Sequence, residues 1–318
     1  MSKRNSQEAK RAARERLRIE REKQAKKERM RRQLVVGGSI VGVLAIAAGV
    51  GVAVANMNSG GEGDSSNWSA AKKVATKGAG GTATVDGEKL SYAAPANTSG
   101  KNGTDIVIGD KDAQHTLEIY EDMRCPVCAA FEQNTGDVVL KDIEKGKYKA
   151  SFTFGTFLDG DTDEELSSNG TGSKNALSAL GAALNVSPDA FLEYKKVLFS
   201  KEDHPAETDD AFADDQHLID LAQKVDELKG DKKFEKAVKQ GTYDSWALNV
   251  SQKFRDSGVQ GTPTFKLDGT HLKANAQGSP PMTPEQFNTL VDQEIAKSGG
   301  KDGGGDEQSD KKEGRPKE

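Results

Sequence analysis

Residues 117–128 read Leu-Glu-Ile-Tyr-Glu-Asp-Met-Arg-Cys-Pro-Val-Cys, and the fold turns on how this stretch is read. Thr116, Glu118 and Tyr120 alternate with Leu117 and Ile119, the two-residue period of a strand whose faces differ. The character changes at Cys125. Pro126 fixes φ near the helical value and gives up an N–H that the first turn of a helix leaves unpaired anyway, so a helix is expected from Cys125 onward. Unpaired N–H groups and the positive end of the helix dipole would then surround the Cys125 sulfur and favour its thiolate, the form that attacks disulfides. Cys128 lies one turn deeper, where it can resolve a mixed disulfide formed at Cys125. Arg124 is expected to add positive charge beside the thiolate.

These are the only two cysteines of the chain. A zinc knuckle needs about four ligands, and only the scattered His115, His204, His217 and His271 stand against that need. A purely structural disulfide is the other alternative, although closing a two-residue loop constrains little chain entropy. No metal or organic cofactor is expected.

Outward from the motif, Asp105–Gly109 and Lys149–Leu158 read as strands, the latter rich in aromatic and β-branched residues. Residues 173–256 turn helical: SKNALSALGAALN, then PDAFLEYKKVLF with Pro188 at a first helical position, then a stretch opened by Thr208 as N-cap. Phe191, Tyr194, Phe199, Trp246 and Phe254 fall at helical spacings that suit a core, with a groove for unfolded chains near Cys125 as the alternative. Thr264–Leu267 restores strand character before an Asp268-Gly269 turn, and Pro284–Ala296 closes the domain as a helix. Asp159, Asp161 and Asp163 alternate as if opening a calcium loop, but Glu164 stands where glycine is required and Gly170 where a bidentate glutamate is required.

A second motif, Gly258-Val259-Gln260-Gly261-Thr262-Pro263-Thr264-Phe265, precedes the last long strand. With IVIGD at 106–110, the CPVC stretch, FLEYKKVLF and the final helix, residues 105–296 resemble the DsbA-like branch of the thioredoxin superfamily. The resemblance implies an α/β, thioredoxin-like fold with a helical insertion. It implies a cis Thr262–Pro263 bond lying against the CPVC turn, with Thr262 and Pro263 binding an extended substrate; Pro126, Val127 and Arg124 are the residues expected to support the cysteines. The implied activity is thiol–disulfide exchange with cysteine-containing exported proteins, as an oxidant served by a DsbB-like or vitamin K epoxide reductase-like membrane partner. A reductase or isomerase is the alternative, as is a non-enzymatic binding module or chaperone. Two departures leave the redox direction open: Ile119 stands six residues before Cys125, where many relatives bury an acid, with Glu118 and Glu121 flanking it, and Val127 stands between the cysteines where strongly oxidising relatives carry histidine.

The rest of the 318 residues frames this domain. Residues 1–33 hold 14 Lys and Arg against 5 Glu, and residues 34–57 run for 24 positions without a charge, enough to cross a hydrocarbon core as a helix. The positive-inside bias places the basic segment in the cytoplasm and everything after Met57 outside, as a single-pass membrane protein. Cleavage of a signal peptide after Ala53-Val54-Ala55 is the rival reading. Residues 58–104, rich in small and polar types, are expected to be a flexible linker that holds at most a hairpin of Ala83–Val85 and Lys89–Tyr92. Residues 105–298 form the folded domain, and 299–318 a disordered tail. The acidic balance beyond residue 33 argues against nucleic-acid binding.

Overall fold

The computed structural model describes residues 68–85, 88–160 and 169–299. The charge-free stretch 34–57, the basic segment 1–33 and the tail from 300 lie outside the described residues. Among the described residues no helix is long and apolar enough to cross a membrane.

The quoted stretch forms the central strand β4 (Thr116–Asp122) of a five-stranded sheet ordered β3-β5-β4-β6-β7. Strand β3 spans Ile106–Ile108, β5 Lys149–Gly155, β6 Thr264–Leu267 and β7 Thr270–His271. Strands β4 and β5 run parallel, pairing Thr116 with Lys149 and Asp122 with Gly155, and every other pairing is antiparallel. A parallel pair needs a long crossover, supplied here by α2 (Pro126–Phe131), a π-turn (Glu132–Gly136) and α3 (Asp137–Glu144). The cysteine turn at the end of β4, the end of β5 and the start of β6 therefore share one end of the sheet.

Both faces of β4 are covered, which is why Tyr120, Glu121 and Asp122 are all buried. On one face Phe131 of α2 packs against Phe265 of β6 at 4.1 Å between ring centroids, with Phe287 of α9 (Pro284–Gly299) at 5.8 Å from Phe131. Phe152 and Phe154 of β5 meet Phe191 of α5 (Pro188–Leu198) edge to face. The helical insertion runs α4 (Gly172–Val186), α5, α6 (Asp215–Ala222), α7 (Lys232–Lys239) and α8 (Asp244–Asp256). Helix α4 is its axis, buried on all sides from Gly172 to Leu184, as a helix enclosed by others must be. Helix α6 starts later than the sequence suggests: Asp214, not Thr208, is its N-cap, accepting hydrogen bonds from the N–H groups of Gln216 and His217.

The linker expectation for 58–104 is corrected from Trp68 onward. Helix α1 (Trp68–Ala75) lies on α8, burying Ala70, Ala71 and Val74. Strands β1 (Thr82–Val85) and β2 (Glu88–Ser91) pair as the anticipated hairpin. The following chain is stitched to the insertion: Trp246 Nε1 donates to the Gly103 carbonyl at 2.6 Å, and Asn97 Nδ2 to the Leu184 carbonyl at 2.7 Å. The annex buries small side chains at close approach rather than large apolar ones, so its composition imitates a tether.

Candidate active site

Helix α2 begins at Pro126, and Cys125 is its N-cap with extended backbone (φ −71°, ψ 116°). The cap acceptor is sulfur: the Cys128 N–H donates to Cys125 Sγ at 3.4 Å. The turn that delivers it is built on Asp122, whose carbonyl accepts the Cys125 N–H at 3.0 Å and whose Oδ1 accepts the Arg124 N–H at 3.0 Å. The Thr262–Pro263 bond is cis, as the resemblance implies, and the Thr262 carbonyl accepts the Cys125 thiol at 3.7 Å. Both cysteines are free thiols. Cys125 is 7% exposed and Cys128 fully buried, while Val127 between them projects into solvent at 46% exposure.

The two sulfurs are electrostatically unlike. The Cys128 thiol, then the neighbouring Thr262 and the N–H groups of Cys128 and Val127, outweigh burial and bring Cys125 down to about 7. Burial, then Cys125 and the charge of Glu121, push Cys128 well above the ordinary thiol range. An exposed-side nucleophile with a stabilised thiolate above a protonated partner is the arrangement that thiol–disulfide exchange uses.

Glu121 is the acid that the position six residues before Cys125 does not supply. It is fully buried, with Lys195 Nζ at 2.9 Å from its Oε2, and the same ammonium lies 2.8 Å from Glu132 Oε1. Burial, then the neighbouring Glu132, push the Glu121 carboxyl up to about 8 against the pull of Lys195. Burial draws Lys195 down, but its two carboxylates more than offset this and raise it. Two sequence signals point here: residues 117, 119 and 121 share one face of a strand, and Phe191, Tyr194, Lys195 and Leu198 share one face of a helix.

Arg124 departs from its expected place. It is 3% exposed and spends its guanidinium on the insertion: Asp159 Oδ1 at 3.0 Å, the Asn169 and Glu207 carbonyls at 2.8 Å each, and Asp210 Oδ1 at 3.2 Å. The other anticipated residues gather where the sheet ends, with Pro126 opening α2 and Pro263 buried beside Thr262.

Disulfide bond formation protein D of Bacillus subtilis is 27% identical over 168 residues, covering 52% of this chain and 69% of that protein. Among solved structures, the reduced disulfide bond oxidoreductase DsbG of Mycobacterium tuberculosis aligns with TM-score 0.49 at 24% identity, over 60% of this chain and 87% of that one. Oxidised DsbA of the same organism aligns with TM-score 0.48 at 25% identity, over 59% and 91%. The family model described as thioredoxin matches residues 101–293, well over half of the sequence. The chain therefore belongs to the thioredoxin family, with disulfide bond formation proteins among its relatives.

Proposed function

We propose that this protein is an extracytoplasmic thiol–disulfide oxidoreductase that exchanges disulfides with exported proteins, working as an oxidant. The observation that carries the reading is the Cys125 sulfur acting as helix cap, with its pKa lowered to about 7 above a buried, protonated Cys128. In the oxidising direction a client thiolate attacks Sγ of Cys125 in the Cys125–Cys128 disulfide. The S–S bond breaks, Cys128 leaves as a thiolate and takes up a proton, and a mixed disulfide joins the client to Cys125. A second client thiolate attacks the client sulfur of that bond. Cys125 leaves as the thiolate its hydrogen bonds stabilise, so two electrons have passed from client to protein. Glu121, facing Cys128 and titrating near neutrality, is suited to exchange the proton at that sulfur. Thr262 and Pro263 would hold the client chain beside Cys125.

The charge-free stretch 34–57 supports a single membrane crossing, with residues 1–33 cytoplasmic and the domain outside. A DsbB-like or vitamin K epoxide reductase-like membrane protein would reoxidise the cysteines. Two variants test the activity: Cys128→Ala is expected to accumulate mixed disulfides with exported proteins, and Cys125→Ser to lose client oxidation completely. Full activity of Cys125→Ser in a client-folding assay would leave a binding module in place of an enzyme. Equilibration with a glutathione redox series sets the direction: a potential near −120 mV supports an oxidant, and one near about −270 mV a reductase.

A further inference from the structure

We propose that Arg124 is a positioning residue for Cys125: through its guanidinium the helical insertion holds the turn that presents the nucleophile. The inference rests on the oxidoreductase reading and adds the insertion to its active site.

Three segments distant in sequence converge on this side chain. The Phe157–Asp159 turn supplies the Asp159 carboxylate, the chain just before α4 the Asn169 carbonyl, and the approach to α6 the Glu207 carbonyl and the Asp210 carboxylate. The same carboxylates anchor α4. Asp159 accepts the N–H groups of Ser173 and Lys174 at 2.9 and 2.8 Å, and Asp210 those of Thr171 and Gly172 at 2.9 and 2.8 Å. Gly170 has φ +86°, and a Cβ there would overlap the Asp210 carboxylate. The approach of Asp210 to both the helix and the guanidinium is thus built into the backbone.

On the side of the cysteines, the Asp122–Cys125 turn is held at both ends. Ser173 Oγ donates to Asp122 Oδ1 at 2.7 Å, and the Leu158 N–H to Asp122 Oδ2 at 3.3 Å. Arg124 closes the other end one residue before the cap sulfur. Without the guanidinium Asp159 still has Lys174 at 3.9 Å and the N–H groups of Ser173 and Lys174, but the Asn169 and Glu207 carbonyls and the Asp210 carboxylate lose the group that ties them to the Arg124 end of the turn. The cap geometry that brings the Cys128 and Val127 N–H groups to Cys125 loosens with them. A lysine keeps the charge but cannot reproduce a planar, forked set of donors reaching two carboxylates and two carbonyls.

The test is the pH dependence of iodoacetamide alkylation of Cys125 in the reduced full-length chain, with the labelled site read by mass spectrometry and folding by circular dichroism. Arg124→Met is expected to raise the midpoint by about one pH unit, so alkylation at pH 7 falls roughly five-fold. The charge-conserving pair Arg124→Met/Asp210→Asn separates position from charge. Positioning keeps the midpoint raised, whereas a return to the parent value means that only through-space charge was lost and overturns the proposal. If the methionine variants do not fold, Arg124→Lys decides: a rise of about half a unit, roughly two-fold slower alkylation at pH 7, supports positioning, and an unchanged midpoint overturns it. The readout needs no client, so a failure of the oxidoreductase reading would appear in the Cys125→Ser assay and leave this result separate.

Discussion

Replacing Glu121 by glutamine is expected to flatten the pH dependence of stability between about pH 4.5 and 8. The carboxyl titrates near 4.5 in an unfolded chain and about 8 in the folded one. The native state therefore retains a proton that the unfolded chain has already released. The stability this confers is full below pH 4.5 and drains away as pH climbs through 8. Each pH unit in the window is worth about 1.4 kcal/mol, so the loss reaches up to about 5 kcal/mol by its upper end. Glutamine matches the shape, cannot titrate, and leaves Lys195 its 2.8 Å contact with Glu132. Cys125 contributes with opposite sign, because its lowered folded value adds stability between about pH 7 and 9, but this term is common to parent and variant and cancels in their difference. Urea unfolding of the reduced proteins from pH 5 to 9 measures that difference at constant m-value. The variant should gain on the parent by several kcal/mol across the series. Two curves separated by a constant offset would refute the assignment of Glu121 as a buried acid that is protonated in the native state.

Further outcomes follow from the same geometry. In the reduced parent protein, limited iodoacetamide should label Cys125 with a half-maximal rate near pH 7 and leave Cys128 untouched, as tandem mass spectrometry would show. Gly181→Ala is expected to cost about 1–3 kcal/mol in denaturant unfolding, because a Cβ there would stand 2.7 Å from Trp246 Cζ3 and 2.9 Å from Cε3. A packed α1 should resist trypsin at Lys72 and Lys73, and cleavage there as rapid as in an unfolded peptide would return the segment to the role of tether.

Much of this could be read from residues close together in the chain, and what was missed depends on residues far apart. The strand-to-helix step at Cys125 is carried by a two-residue alternation and a proline, both local, and the hairpin by two short strand-like runs close in sequence, Ala83–Val85 and Lys89–Tyr92. Helix α1 escaped because WSAAKKVA buries mostly alanine, which gives no large apolar stripe to detect. Arg124 was placed by its neighbour in sequence, yet its partners lie at 159, 169, 207 and 210, brought to it only once the insertion folds. Glu121 lies between these cases: strand alternation and the helical spacing of Lys195 both point inward, yet the acid stands four residues before Cys125, while Ile119 occupies the position six residues before it.

The annex also settles how force would travel. Chain upstream of Trp68 enters the domain through α1, which rests on α8, and α8 continues within a few residues to the Thr262–Pro263 peptide beside the reactive sulfur. A tug on the N-terminal side would therefore meet the α1–α8 pair and the β1–β2 hairpin before any strand of the central sheet. In chain order the annex is thus the first part of the fold to take up a pull from upstream.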